Sequence, residues 1–252
     1  MEGQFSNHMS EQSVVKAEDL VDLEAIDMSL PEAEIIPMLM QNLRTVGFFT
    51  LKNVEGFDEG ELFRAVSGFY KDVPEAERRK LIWRNHCPEN ENYFRGLTPF
   101  VENDPAHKEL YDMGGSLNLV SDEALQYALY EDTPFPPQEE TKWIRKAFEA
   151  HYNKMHALAL KLLEYLATGL GLERQFFHPW FVKDSLSTFR AIHILPRTAG
   201  IVDSSKLSED HFKLTTPEHC DSGFMTLLTT FGYPGLQVLI DGEFRSIKPV
   251  YN

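Results

Sequence analysis

Residues 219–249 read HCDSGFMTLLTTFGYPGLQVLIDGEFRSIKP, and this stretch decides the fold. Within it MTLLTT (225–230), LQVLI (236–240) and EFRSI (243–247) are short runs rich in β-branched, apolar and aromatic residues, separated by turn residues, the pattern of strands. Asp241-Gly242 between the last two is a two-residue hairpin signal, because both central positions of a type I′ turn need positive φ. A fourth run, FRAIHIL (189–195), precedes them. Upstream the periodicity is helical. Helices first and a β-rich segment last predict an α+β chain with an antiparallel barrel or jelly-roll body.

Working outward, a long helix is expected from about Gln138 to Leu170. Ile144, Phe148, Tyr152, Met155, Leu158, Leu162, Leu166 and Leu170 form one stripe, and Gly169 and Gly171 are stop signals. The stripe predicts a buried spine. A shorter helix from Asp58 to about Tyr70 carries Leu62, Phe63, Val66 and Phe69 at three- and four-residue spacing. VDLEAIDMSLPEAEIIPMLMQNLRTVGFFTL (21–51) reads as a short strand, a turn at Ser29-Leu30-Pro31, a helix to about Thr45 and a strand over 46–51, with Pro37 weighing against an unbroken helix. Between Asn85 and Pro137 the periodicity is weak, and Cys87-Pro88, Thr98-Pro99, Gly114-Gly115 and 133–137 suggest irregular connecting structure. Residues 1–18 hold too few large apolar side chains to offset the entropy of ordering them. The expected divisions are thus a flexible tail (1–18), an amino-terminal region (19–137), and the long helix with the β-rich body (138–252).

Composition narrows the function. The chain has 252 residues, 42% hydrophobic and 25% charged, which suits a globular protein with a sizeable core. Lys+Arg 24 against Asp+Glu 39 gives a net charge of −15, which repels phosphate backbones and anionic lipid, so no nucleic acid and no membrane partner is expected. Cys87 and Cys220 are the two cysteines, too few for a disulfide scaffold, and they suit a reducing, cytoplasmic setting. No apolar leader and no membrane-spanning run is present.

The chemistry-bearing constellation is His219-Cys220-Asp221. If extended, positions i and i+2 project from one face, and a neutral imidazole beside a carboxylate can hold one divalent ion, with Cys220 packed the other way. By itself H-x-D is a common triplet, and a self-bonded surface loop is the plainer reading. The surroundings change that. His219, Asp221, Gly223, Thr226-Leu227-Leu228, Gly235-Leu236-Gln237-Val238 and Asp241-Gly242 resemble, in one register, the core of the isopenicillin N synthase-like iron(II), 2-oxoglutarate-dependent dioxygenases. LRTVGFFTLKNVEGF (43–57), FYKDVPEAERRKL (69–81) and LATGLGLERQFF (166–177) resemble that family's helix-to-strand entry, its Phe-x-x-x-Pro-x-x-x-Lys segment and the end of its long helix.

The resemblance implies a distorted double-stranded β-helix, incomplete at the carboxyl end, with a helical amino-terminal region. It implies Fe(2+) held by two His and one carboxylate, with 2-oxoglutarate and O2 on the remaining positions, and oxidation of a small organic substrate. His219 and Asp221 match two of the ligands. The family's distal His and its Arg-x-Ser, whose Arg pairs with 2-oxoglutarate, lie several dozen residues beyond the Asp. Here Asn252 stands 31 residues after Asp221 and no histidine follows His219, so the chain is expected to be a fragment of low activity. The alternative is a non-catalytic relative acting as an interaction or regulatory partner. A zinc hydrolase is a weaker reading, since neither HExxH nor CxxC occurs.

The family's Tyr before the strand-ending Pro is Ile194 here, and the link 197–217 is longer than usual, as expected of a tolerated surface loop. His193 and His211 are conceivable substitute ligands, more simply read as a hydrogen-bonded half-buried His and a solvated loop His. His151 and His156, five apart on a helix, read as structural. Arg190 and Arg245 could pair with the carboxylate cosubstrate, Arg190 being the candidate for binding it. Asn92, Tyr93 and Arg95 fall where family members bring substrate contacts, and Arg78-Arg79-Lys80 reads as a solvated helix face.

Overall fold

The computed structural model describes residues 20–102, 104, 106–195 and 216–250. The expected tail, His211 and most of the link 197–217 lie outside the described residues. In chain order the elements begin with β1 (Ala25–Asp27), α1 (Glu32–Thr45), β2 (Thr50–Lys52), α2 (Glu59–Lys71) and α3 (Glu75–Arg79). There follow β3 (Gly96–Thr98), β4 (Lys108–Met113), α4 (Lys142–Gly169), α5 (His178–Phe181), β5 (Phe189–Ile194), β6 (Gln237–Ile240) and β7 (Glu243–Ser246). They fall into two compact units, one comprising the chain up to Glu55 and from Leu228 onward, the other running from Gly56 to Leu227. The units therefore do not divide at 137/138. No helix among the described residues is long and apolar enough to cross a membrane.

In the first unit β1 and β2 pair in parallel, Ile26 opposite Leu51. Helix α1 buries Ile35, Leu39 and Met40 on one face. Pro37 does not break it: both Pro37 and Ala33, whose carbonyl loses its partner, are exposed, so water can serve that oxygen. The strand expected over 46–51 starts later, because Val46 caps the helix and Gly47 turns the chain at φ +77°. The hairpin of β6 and β7 has Ile240 opposite Glu243, with Asp241 at φ +52° and Gly242 at +82°, the positive pair a tight turn demands. Its inner residues Val238 and Ile247 pack with Leu23.

The second unit is an antiparallel sheet, β3-β4-β5, against α2 and α4. Asp58 caps α2 by accepting from the Glu61 N–H at 2.8 Å. Phe69 and Phe148, both fully buried, meet the sheet at Tyr111 (ring centroids 4.4 Å from Phe69) and Phe189 (5.1 Å from Phe148). Each such ring contributes about 1.5–3 kcal/mol of burial. The α4 stripe is buried at Ile144, Phe148, Tyr152 and Leu162 but not at Leu170, which is exposed. The helix ends before it: Leu170 is the cap, Gly171 takes φ +72°, and Leu172 and Gly171 donate to the Ala167 and Thr168 carbonyls at 2.9 and 3.0 Å.

Two strand expectations change. The middle segment is not merely connecting structure, since β3 and β4 lie in it and β4 is the central strand. Conversely, MTLLTT forms no strand: it alternates in burial over 224–228, yet among the described residues no ladder partner pairs with it. The described strands form three separate sheets of two, three and two strands.

Candidate metal centre

The register of the β3-β4-β5 sheet sorts its side chains. Lys108, Leu110 and Asp112 of β4 stand opposite Ile194, Ile192 and Arg190 of β5, and residues directly opposite share a face. The alternate residues Tyr111, Met113 and Ala191 are buried among the helices. The first face is open: Ile192 is 41% and Ile194 53% exposed.

Two cations and one carboxylate occupy that face. Arg190 donates from Nε and Nη2 to the two oxygens of Asp112 at 2.7 and 2.8 Å, a fork-on-carboxylate pair. The Asp112 hydrogen bond holds the Arg190 guanidinium above its usual pKa; burial opposes this, and the charges of Asp112 and Asp221 reinforce it. Lys108 donates to Thr216 Oγ1 at 2.6 Å. Burial pushes its ammonium below the ordinary lysine value, and the positive charge of Arg190 adds to that. The segment carrying His219 and Asp221 is thus linked to the open face through Thr216 on Lys108 and through the Arg190–Asp221 attraction.

His219 and Asp221 converge, Nε2 standing 3.2 Å from Oδ1. His219 Nδ1 meets the Pro217 carbonyl at 2.9 Å, and Thr226 Oγ1 donates to the other Asp221 oxygen at 2.5 Å. In the tautomer that donates Nδ1–H to Pro217, Nε2 presents a lone pair toward a carboxylate oxygen. Two acceptors directed at one another are stable only with a cation between them, either a proton or a metal ion. The 3.2 Å separation is that of an ordinary imidazole–carboxylate contact, and it leaves the two donors near enough to meet at one ion. Among the described residues no group of three or more His, Cys, Asp or Glu side chains is gathered for a metal. The structure brings two donors together.

The other candidates separate cleanly. Arg190, the candidate for pairing with the carboxylate cosubstrate, is bonded to Asp112: the strand register that exposes it also supplies this carboxylate. His193 stands opposite Glu109, donor or acceptor to its carboxylate at 2.8 Å, on the face away from Arg190. Arg78 joins the same Glu109 at 3.0 Å, so of Arg78-Arg79-Lys80 only Arg79 and Lys80 form the solvated face. His151 packs between Phe57 and Phe189, and His156 stacks parallel to Tyr152. Arg245 faces Glu243 at 3.4 Å on the exposed hairpin. Cys220 is exposed rather than packed, because no strand forms there. Asn92 bonds the Leu81 and Arg95 carbonyls, Tyr93 lies under the Arg84 guanidinium at 4.4 Å, and Arg95 is buried. Lys108, Asp112 and Thr226 were not singled out from sequence. The first two sit on the strand hidden in the middle segment; Thr226 entered only as the first residue of the Thr-Leu-Leu run that carries the resemblance.

No family model matches the chain. It is 27% identical over 207 residues to gibberellin 20 oxidase 3 of Arabidopsis thaliana, covering 81% of this chain and 50% of that protein. The chain therefore spans half the length of this relative. To isopenicillin N synthase of Flavobacterium sp. it is 24% identical over 233 residues, covering 91% of this chain and 70% of that protein. A crystal structure from Caulobacter crescentus, described as a 2OG-Fe(II) oxygenase family protein, superposes with TM-score 0.70 at 25% identity, covering 90% of this chain and 71% of that one. These likenesses, spread along most of the chain, make it similar to isopenicillin N synthase, the gibberellin 20 oxidases and the 2OG-Fe(II) oxygenases in sequence and fold.

Proposed function

We propose that this chain is part of an iron(II)- and 2-oxoglutarate-dependent dioxygenase acting on a small organic substrate, with His219 and Asp221 as two of the metal's ligands and the open sheet face belonging to an incompletely described jelly roll. The observation that carries the reading is the 3.2 Å approach of His219 Nε2 to Asp221 Oδ1, two lone-pair donors turned to one point. Iron with 2-oxoglutarate and O2 supplies the oxidising power for attack on a C–H bond. The protein's part is positional. Pro217 fixes the imidazole by its Nδ1, and Thr226 holds the far carboxylate oxygen, so both donors are aimed before an ion arrives. Leu110, Ile192 and Ile194 give the open face an apolar character suited to an organic molecule, while Asp112 keeps Arg190 from collapsing onto Asp221. The free thiols Cys87 and Cys220 suit a cytosolic setting.

Anaerobic titration with iron(II) and 2-oxoglutarate tests this through the weak visible charge-transfer band of the ternary complex, followed by succinate release on admitting air. The band is expected in the unaltered chain and absent in His219→Ala and Asp221→Ala. A band of equal intensity in either variant, or none in the unaltered chain, overturns the ligand assignment.

A further inference from the structure

Residues 216–227, which carry His219 and Asp221, join no ladder among the described strands, so no sheet holds the two donors in place. The bonds of His219 to Pro217 and of Asp221 to Thr226 lie inside that same segment: they shape it, and they travel with it. Tying it to the rest of the second unit takes contacts that leave the segment. At its start Lys108 of β4 bonds Thr216. Toward its end the tie is aromatic. Phe224, three residues beyond Asp221, sets its ring 5.2 Å from that of Phe177 and 5.4 Å from that of Phe181, tilted 51° and 52° to them. These are separations of favourable aromatic pairs.

Phe177 and Phe181 are placed to receive it. Phe177 caps α5 and Phe181 ends it, and side chains four apart on a helical turn lie on one side. Helix α5 is in turn held by α4: His156 hydrogen-bonds the Phe181 backbone, and Glu164 accepts from Arg174 Nε at 2.8 Å and stands 3.1 Å from His178 Nε2. The residue before Phe224 offers no comparable hold. A Cβ placed on Gly223 would meet nothing within 4 Å, and glycine loses more freedom on being ordered than any other residue. Phe224 is 56% exposed, so it lies upon the two rings and not inside the core, and its removal opens no buried cavity.

We infer that Phe224 is a positioning residue for the metal centre: its ring, set against Phe177 and Phe181, anchors the segment of His219 and Asp221 to α5 and so restricts the arrangements the two donors sample. The inference rests on the reading of those two residues as ligands. Deleting the ring lowers the fraction of chains in the binding-competent arrangement, and the apparent dissociation constant for the ion rises by the same factor. Aromatic contacts of this kind make that factor about fivefold.

The first measurement uses the full chain without metal. Proton–nitrogen nuclear Overhauser effects at the His219 and Asp221 amides read fast backbone motion. They should fall in Phe224→Ala and recover in Phe224→Tyr, which keeps the ring. Anaerobic iron(II) titration of the same proteins should show affinity about fivefold weaker in Phe224→Ala and unchanged in Phe224→Tyr. Phe181→Ala should also weaken it, and the double variant should lose no more than Phe224→Ala alone, because both changes remove one contact. Unmoved Overhauser effects in Phe224→Ala, failure of Phe224→Tyr to recover them, or additive losses in the double variant overturn the inference. So does unmoved affinity in Phe224→Ala where His219→Ala abolishes binding. If His219→Ala leaves iron(II) affinity untouched, it is the ligand assignment that fails, and the Overhauser effects still decide whether the ring anchors the segment.

Discussion

Substituting Arg190→Gln and Asp112→Asn, singly and together, measures what the paired groups on the open face are worth. The pair consists of two charge-assisted bonds at 2.7 and 2.8 Å, with the Asp112 side chain 11% and the Arg190 side chain 52% exposed. A fully buried pair of this geometry would be strong, but solvent around half the guanidinium screens it, leaving a coupling of about 1–2 kcal/mol. The singles should be unequal. Arg190→Gln strands a largely buried carboxylate and should cost more than Asp112→Asn, which leaves a half-solvated cation still attracted by Asp221. With a urea m-value of about 3 kcal/mol/M for a chain of this length, a loss of about 1.5 kcal/mol moves the unfolding midpoint by about 0.5 M. Urea melts of the four proteins give the coupling by difference. A coupling below about 0.3 kcal/mol, within ordinary additivity error, would refute the clamp and return Arg190 to the pool of groups free to meet a cosubstrate carboxylate.

Two further outcomes are expected. Burial between Phe57 and Phe189, with a smaller contribution from the Lys154 charge, lowers the His151 pKa from 6.5 to about 4. The unfolded chain therefore takes up a proton as pH falls below 6.5 while the folded chain does not until about 4, so stability declines through that window, by about 2 kcal/mol between neutrality and about pH 5. His151→Gln should flatten this part of the stability profile in urea melts, and an unchanged slope would place the proton uptake elsewhere. Thr226→Val removes the hydroxyl that steadies Asp221 and should weaken iron(II) binding by about tenfold in the same titration that tests His219; unchanged affinity would show the carboxylate to be oriented by other contacts.

Where periodicity was strong and local, the sequence was enough. Asp58, Leu62 and Phe69 of the α2 stripe, the Gly171 stop and the Asp241-Gly242 turn stand where spacing and φ requirements put them, because each depends on residues within one or two turns of itself, whereas Phe63 of that stripe is exposed and Ala65 is buried instead. KELYDM escaped notice because Lys108, Glu109 and Asp112 make it look like surface. Its charges are satisfied by Thr216, by Arg78 with His193, and by Arg190, partners far away in the chain that no local pattern announces. MTLLTT fails in the opposite sense: its composition suits a strand, but a strand exists only with a ladder to join. At the candidate centre the His-x-Asp spacing located the two donors, whereas the Arg190–Asp112 clamp needed a register that spans 78 residues.

Glu131 gathers three successive backbone N–H groups on one carboxylate and so imposes a shape on residues 93–95 that those residues need not encode themselves. Their side chains are thereby released from the duty of making the turn. Over evolutionary time the exposed positions Tyr93 and Phe94 can drift in chemistry, and with them whatever surface they present, while the template stays fixed by a single acidic residue nearly forty positions downstream.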